Sequence, residues 1–350
     1  MKKRILVSCL VLIILTTAIV GCSKPADTPP ASDPNAEGGS GTALTSPVNL
    51  DMATMKMGSG WYSYGSVLSE LMMKELPQGS KVNIIPESGA AANPTLVSKG
   101  KFPIALGYNQ SCNWAYNGQF IYDKPLENLR GLVGYLDTYY YAAVVSKSFG
   151  VTDLAEVKEK KIPIRVSTVP VGGMGEVVTR LVFEYYGFTY DDIISWGGKV
   201  EHNDFATIVD MFKDGQTDFF LQNITQGHAS ITELSVSTDI VFLQFPEDMI
   251  NSFVEKYGFS KEVLPANSYK GQTTDIVSMG LTTNIFTNTD MPDAVAYAIT
   301  KAIVENPDAL HKGHVALERF TPEGACDPIG LGLPLHPGAE KYYREVGLLK

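Results

Sequence analysis

Three glycine-rich turns in this chain each run into a helical stretch, and each could hold an anion. They are Gly58-Ser59-Gly60-Trp61-Tyr62, Glu87-Ser88-Gly89-Ala90 followed by Asn93-Pro94, and Thr168-Val169-Pro170-Val171-Gly172-Gly173-Met174-Gly175. Where such a turn delivers the chain into a helix, free backbone N–H groups and the positive end of the helix dipole point outward. A carboxylate or phosphate docks there without any arginine. For any one loop, glycine that merely satisfies a tight turn explains as much; three together point to an anion site. Aromatic rings sit beside these glycines. A ring on a loop can wall a pocket while its O–H or N–H reaches a polar ligand. Trp61, Tyr62 and Tyr108 are therefore the expected walls, whereas Tyr139 to Tyr141 alternate along a strand and are expected in the core.

Other chemistries find little support. Gly58-Ser59-Gly60-Trp61-Tyr62-Ser63 and Gly173-Met174-Gly175-Glu176-Val177-Val178 lack the last glycine of a dinucleotide fingerprint, and neither carries a P-loop lysine. No cofactor is expected. No nucleophile elbow and no His-Glu-x-x-His occurs. His311 and His314 are three apart, but Gly313 lies between them and no carboxylate or cysteine completes a ligand set, so no metal is expected. Glu176 and Arg180 have the i,i+4 spacing of an ion pair on a solvated helix face.

The elements that position these residues follow a strand–loop–helix rhythm, which predicts an α/β fold. Met52 to Met57 reads as a strand, and Val67, Leu68, Leu71, Met72 and Leu76 as the buried face of the helix after it. Further strands are expected at Val82 to Ile85, Pro103 to Gly107, Ile164 to Ser167 and Thr217 to Leu221. Ahead of them, Lys2, Lys3 and Arg4 precede an apolar run from Ile5 to Val20, the pattern of a signal peptide. Ile19-Val20-Gly21-Cys22 resembles the lipobox of bacterial lipoproteins, in which the cysteine receives diacylglycerol. Residues 1–21 are thus expected to be a lipoprotein signal peptide and 22–48 a lipid anchor on Cys22 with a disordered tether. A tether of this length spans roughly 25 to 30 Å. Removing the three cations with the signal takes the formal charge from −10 to −13, which argues against nucleic acid as a partner. Cys112 and Cys326 are left in the globule, where a disulfide is possible and not compelled.

Several segments together resemble the TAXI-family solute-binding proteins of TRAP transporters, over nearly the whole chain after the tether. Met57-Gly58-Ser59-Gly60-Trp61-Tyr62-Ser63-Tyr64-Gly65 is similar to the family's opening glycine/aromatic turn, and Glu87-Ser88-Gly89-Ala90-Ala91-Ala92-Asn93 to its second segment. Lys213-Asp214-Gly215-Gln216-Thr217-Asp218-Phe219-Phe220 and the stretch from Leu335-His336-Pro337-Gly338-Ala339 to Tyr342-Tyr343-Arg344-Glu345-Val346-Gly347 resemble its later signatures. The resemblance implies a type II periplasmic-binding-protein fold: two α/β lobes joined by crossing strands around a ligand cleft. Residues 49–140 with 280–350 would form lobe 1 and residues 141–279 lobe 2. Tyr139 to Ser146 would be the outgoing crossover and Ile276 to Thr283 the return.

On that footing Ser59, Trp61 and Tyr62 would serve at the first helix start, and Gly89, Ala91 and Asn93 at the second. Val171, Gly172, Gly173 and Met174 would close from the other lobe. Tyr108, Asn109 and Gln110 would select the ligand's far end, and Gln222 and Asn223 sit where strand ends meet a cleft. The implied protein is no enzyme. It would be a monomeric, extracytoplasmic, lipid-anchored subunit that captures a small organic anion, a glutamate-like amino acid or a mono- or dicarboxylate, for a TRAP membrane permease. A ligand-sensing lipoprotein and an extracytoplasmic enzyme that reuses the fold stand as alternatives. Two departures from the family pattern disfavour glutamate itself. Val171-Gly172-Gly173-Met174 replaces a hydroxyl-bearing loop, and Asn109-Gln110-Ser111 stands where an acidic residue is often seen.

Overall fold

Alternation of exposed and buried residues in Asn49–Ala53 makes β1, a strand with one face on a core. The computed structural model describes residues 44–87 and 89–350; the expected signal peptide, Cys22 and most of the expected tether lie outside them, as does Ser88. β1 is joined through helix α1 (Gly60–Glu75) to the parallel β2 (Lys81–Ile85), with Asn49 opposite Lys81 and Ala53 opposite Ile85. Helix α2 (Asn93–Ser98) leads to β3 (Ile104–Tyr108), parallel to β1 and buried at all five residues. A helix between each parallel pair is the crossover that such pairs require. The first strand ends at Ala53, earlier than the apolar run suggests. Thr54 still bonds Ile85, but Ser59 N already reaches Lys56 O and the chain turns.

Helix α3 (Asn109–Asn117) follows β3 directly and stops at Gly118, whose φ of 64° suits glycine. β4 (Leu129–Val133) and β5 (Thr138–Ser146) come next, then α4 (Leu154–Lys160), β6 (Arg165–Thr168) and α5 (Met174–Tyr185). The remaining strands are β7 (Lys199–His202), β8 (Phe219–Ile224), β9 (Ile240–Leu243), β10 (Ser260–Leu264) and β11 (Ile276–Asn288). The sheet path is β2-β1-β3-β11-β5-β8-β6-β7, with β4 and β10 on β11 and β9 on β5.

β11 ties the two halves of this curled sheet together. Residues 276–282 pair with β10 and β5, and residues 283–288 with β3 and β4. The partner changes between Thr282, opposite Thr138, and Thr283, opposite Tyr108. On α1 the buried set Trp61, Tyr64, Leu68, Leu71 and Met72 follows the helical period. Each such side chain contributes about 1.5–3 kcal/mol on burial.

Cys112 and Cys326 are free thiols. The first faces Asn284 Oδ1 and the second Leu348 O, so they serve different neighbourhoods. No helix among the described residues is long and apolar enough to cross a membrane.

Candidate functional site

The switch of β11 leaves backbone groups for side chains to satisfy. Thr283 N donates to Asp137 Oδ1 at 3.1 Å, Tyr64 donates its hydroxyl to Asp137 Oδ2 at 2.5 Å, and Thr282 Oγ1 donates to the Asp137 carbonyl at 2.8 Å. Trp61 Nε1 donates to Thr283 Oγ1 at 2.8 Å. One buried network therefore fixes the first turn to the strand that joins the two halves. Burial pushes the Asp137 carboxyl up to about 7, against the lowering effect of its bonds from Thr283 and Tyr64.

Above this network three rings pack together. The Trp61 and Tyr108 centroids are 4.9 Å apart, Tyr108 and Tyr139 4.9 Å, and Trp61 and Tyr139 6.3 Å, all tilted or edge-on. The hydroxyls of Tyr108 and Tyr139 are buried and interact with each other, and neither bonds any further protein atom. Burial raises both well above the ordinary tyrosine range, so each keeps a proton to donate.

The end of β8 continues the same sheet face beside these rings. Asn223 pairs with Tyr141 across the ladder and therefore shares a sheet face with Tyr141 and Tyr139. Both amide atoms of Asn223 and the Thr225 hydroxyl are buried without partners. Tyr139 Oη lies 2.8 Å, and Thr225 Oγ1 3.1 Å, from where a Cβ on Gly60 would stand. Gln222 Oε1 accepts from Asn223 N at 2.7 Å, which fixes its orientation and leaves Nε2 free. A methyl at Gly175 would collide with that Oε1, so the Gln222 side chain rests against the start of α5 in the space glycine leaves. His228 lies near the first turn: its ring is 5.1 Å from Phe205, whose Cβ is 3.1 Å from the Cβ position of Gly58. Burial, helped by His314, lowers its pKa to about 4, so it is neutral near pH 7, and neither ring nitrogen has a partner. A buried polar group left unpaired costs about 1–3 kcal/mol. Several such groups near the first turn make this the candidate region for a polar ligand or ordered water.

The other expected residues divide. Asn93 Nδ2 donates to Thr54 O and Leu106 O, and its Oδ1 is buried and free. Tyr122 donates to Ala91 O at 2.7 Å, and Gly89 (φ 101°) leaves room for Met55. Gly172 stands against the second turn, with Ala92 Cβ 3.8 Å from its own Cβ position. Val171 is exposed beside it, Met174 is buried, and Gly173 caps α5 with no side-chain acceptor. Ser59 accepts from Tyr62 N at 3.2 Å, so that amide of the first turn is already used, and Tyr62 is half-buried.

Asn109 and Gln110 do not join the ring cluster. Asn109 bonds Ile329 O and Thr282 N, and Gln110 Nε2 bonds Tyr257 O. Both line a separate cavity of about 290 Å³ with Trp114, Tyr257 and Ile329. The reason is geometric: α3 begins at Asn109, so successive side chains swing about 100° around the helix and leave the face that Tyr108 occupies. Glu176 differs too. It pairs with Arg180 at 2.7 Å, yet it is only 2% exposed instead of lying on a solvated surface. His311 and His314 are engaged locally with Phe320 O and Ala316 N. Among the described residues no three His, Cys, Asp or Glu side chains gather as a metal set.

Tyr139 is buried in the core as expected, but its hydroxyl, with Thr225 and His228, adds candidate site groups that the sequence does not single out. Tyr139 follows the same alternation as core residues, and only the packed structure brings its hydroxyl beside Gly60 and its ring against Tyr108. Thr225 and His228 carried one signal, since they follow the same strand end as Gln222 and Asn223.

Comparison with solved structures identifies the architecture. The chain is similar to the periplasmic binding protein BugD at 13% identity, covering 87% of this chain and 98% of that one, with a TM-score of 0.52. MatC from Rhodopseudomonas palustris with bound malate matches at 13% identity, covering 87% and 99%, with a TM-score of 0.51. R. palustris Rpa4515 with adipate matches at 12% identity, covering 86% and 92%, with a TM-score of 0.52. The fold is the two-lobed α/β fold of periplasmic binding proteins. The sequence profile of the NMT1-like family matches residues 52–347, most of the chain, and the protein belongs to that family.

Proposed function

We propose that the protein is an extracytoplasmic solute-binding subunit that captures a small organic anion between its lobes and delivers it to a TRAP-type permease. The observation that carries this reading is the group of buried hydroxyls and amides with unused hydrogen-bonding capacity around the Gly58–Trp61 turn, at Tyr108, Tyr139, Asn223 and Thr225. Residues 49–140 with 280–350 would close on residues 141–279, and β11 would be the return crossover. The first, second and third turns would meet the anion with backbone donors and neutral side chains, which suits an acidic protein. The TAXI resemblance supports the TRAP partner and the lipid anchor on Cys22. The malate and adipate of the structural relatives support a carboxylate solute.

A thermal-shift screen against mono- and dicarboxylates and amino acids tests the reading. A true solute at a hundred times its Kd stabilises the fold by about 2.7 kcal/mol. No shift with any small anion would contradict it. Tyr139→Phe gives a sharper signature. Removing this incompletely paired buried hydroxyl leaves the ligand-free stability unchanged or raises it by about 1 kcal/mol, while solute affinity falls about fivefold. Urea unfolding and calorimetric titration read the two effects; lost stability with unchanged affinity would place the hydroxyl outside the site.

A further inference from the structure

The unpartnered atoms at the cleft are not all donors. Asn93 must present Oδ1, because both its bonds come from Nδ2 to carbonyl oxygens. Asn223 has neither amide atom bonded, so it offers an acceptor and a donor whichever way it is turned. Neutral His228 offers one of each as well. Asn223 shares a sheet face with Tyr139, whose hydroxyl, like those of Tyr108 and Thr225, can both donate and accept.

A plain dicarboxylate has acceptors only, so it satisfies the hydroxyls and leaves the Asn93 and Asn223 oxygens unpaired. An amino acid supplies donors but as a buried cation. The nearby carboxylate, Asp137, already accepts from Tyr64 and Thr283 and lies behind them. An ammonium there would meet neutral oxygens alone, which is unfavourable in a dry site. An alcohol hydroxyl both donates and accepts at one uncharged atom.

We propose that the solute is a hydroxylated carboxylate, with its hydroxyl donated to the Asn223 or Asn93 side-chain oxygen. This rests on the small-anion reading above and narrows it. The geometry gives Asn223 the discriminating part, since no protein atom competes for its amide.

Calorimetric titration of the purified protein, unfolded and refolded to strip carried-over solute, tests this with matched pairs: succinate against L-malate and tartrate, glutarate against 2-hydroxyglutarate, and L-glutamate. At least one hydroxylated acid is expected to bind about tenfold or more tighter than its plain partner, and glutamate no tighter than glutarate. Asn223→Leu, checked for folding by its thermal transition, should bring the ratio within a pair close to one. Plain acids that bind as tightly as hydroxylated ones, or tightest binding by glutamate, would overturn the hydroxyl assignment and leave the small-anion reading standing. Silence from every acid would overturn both.

Discussion

Gly60→Val is expected to weaken solute binding on the order of a hundredfold while the protein still folds. Gly60 is the first residue of α1 and has no positive φ, so its backbone accepts a side chain without strain. What it lacks is space. A Cβ would stand 2.8 Å from Tyr139 Oη and 3.1 Å from Thr225 Oγ1, two of the buried hydroxyls with unused bonding capacity. The Tyr139 ring is packed against Trp61 and Tyr108, so the added side chain takes up ligand space and also disturbs part of this packing. Gly60→Ala should show the same effect more weakly. Its unfolded chain also loses entropy, which offsets part of any strain by about 0.4–1 kcal/mol. Calorimetric titration beside urea unfolding checks the pair. Equal affinity in the wild type and the valine variant would remove Gly60 from the site.

The second large effect is on pH dependence. Asp137 is buried and titrates near 7, whereas an unfolded aspartate titrates near its ordinary value of 3.8. Between these two values the folded protein holds a proton that the unfolded chain has released. Stability therefore falls as pH rises through that window, and the loss is complete above about pH 7. The shift corresponds to on the order of 4 kcal/mol. Asp137→Asn removes the titration but keeps an oxygen for Thr283 N. Tyr64, Tyr108, Tyr139 and Tyr140, the tyrosines that feel Asp137, stay neutral throughout the window because burial raises them all. Urea unfolding from pH 4.5 to 8 should thus show the asparagine variant gaining on the wild type as pH rises. Two parallel curves would mean that Asp137 is not desolvated as described.

Much of the architecture was legible in the sequence because it rests on local rules. Glycine turns, apolar runs of strand length and the helical spacing of Leu68, Leu71 and Met72 each announce an element by themselves. The site was legible only in part. Trp61, Tyr108, Asn93 and Asn223 stood beside turns or strand ends, where clefts form. Asn109 and Gln110 stood there too, but the helix that starts at Asn109 turns them toward Ile329 and Tyr257. Tyr139 is core, as its alternation predicts, but the closeness of its hydroxyl to Gly60 comes from long-range packing that a local pattern does not carry. Asp137 gave no signal, since its importance comes from the partner change at Thr282 and Thr283, a property of the assembled sheet.

The most direct test of the account is a crystal structure of the protein with the organic acid that stabilises it most. The acid is expected to lie against the Gly58–Trp61 turn, its oxygens within hydrogen-bond distance of the Tyr108 and Tyr139 hydroxyls, Thr225 Oγ1 and the Asn223 amide. An acid bound elsewhere, with only water against those atoms, would contradict it.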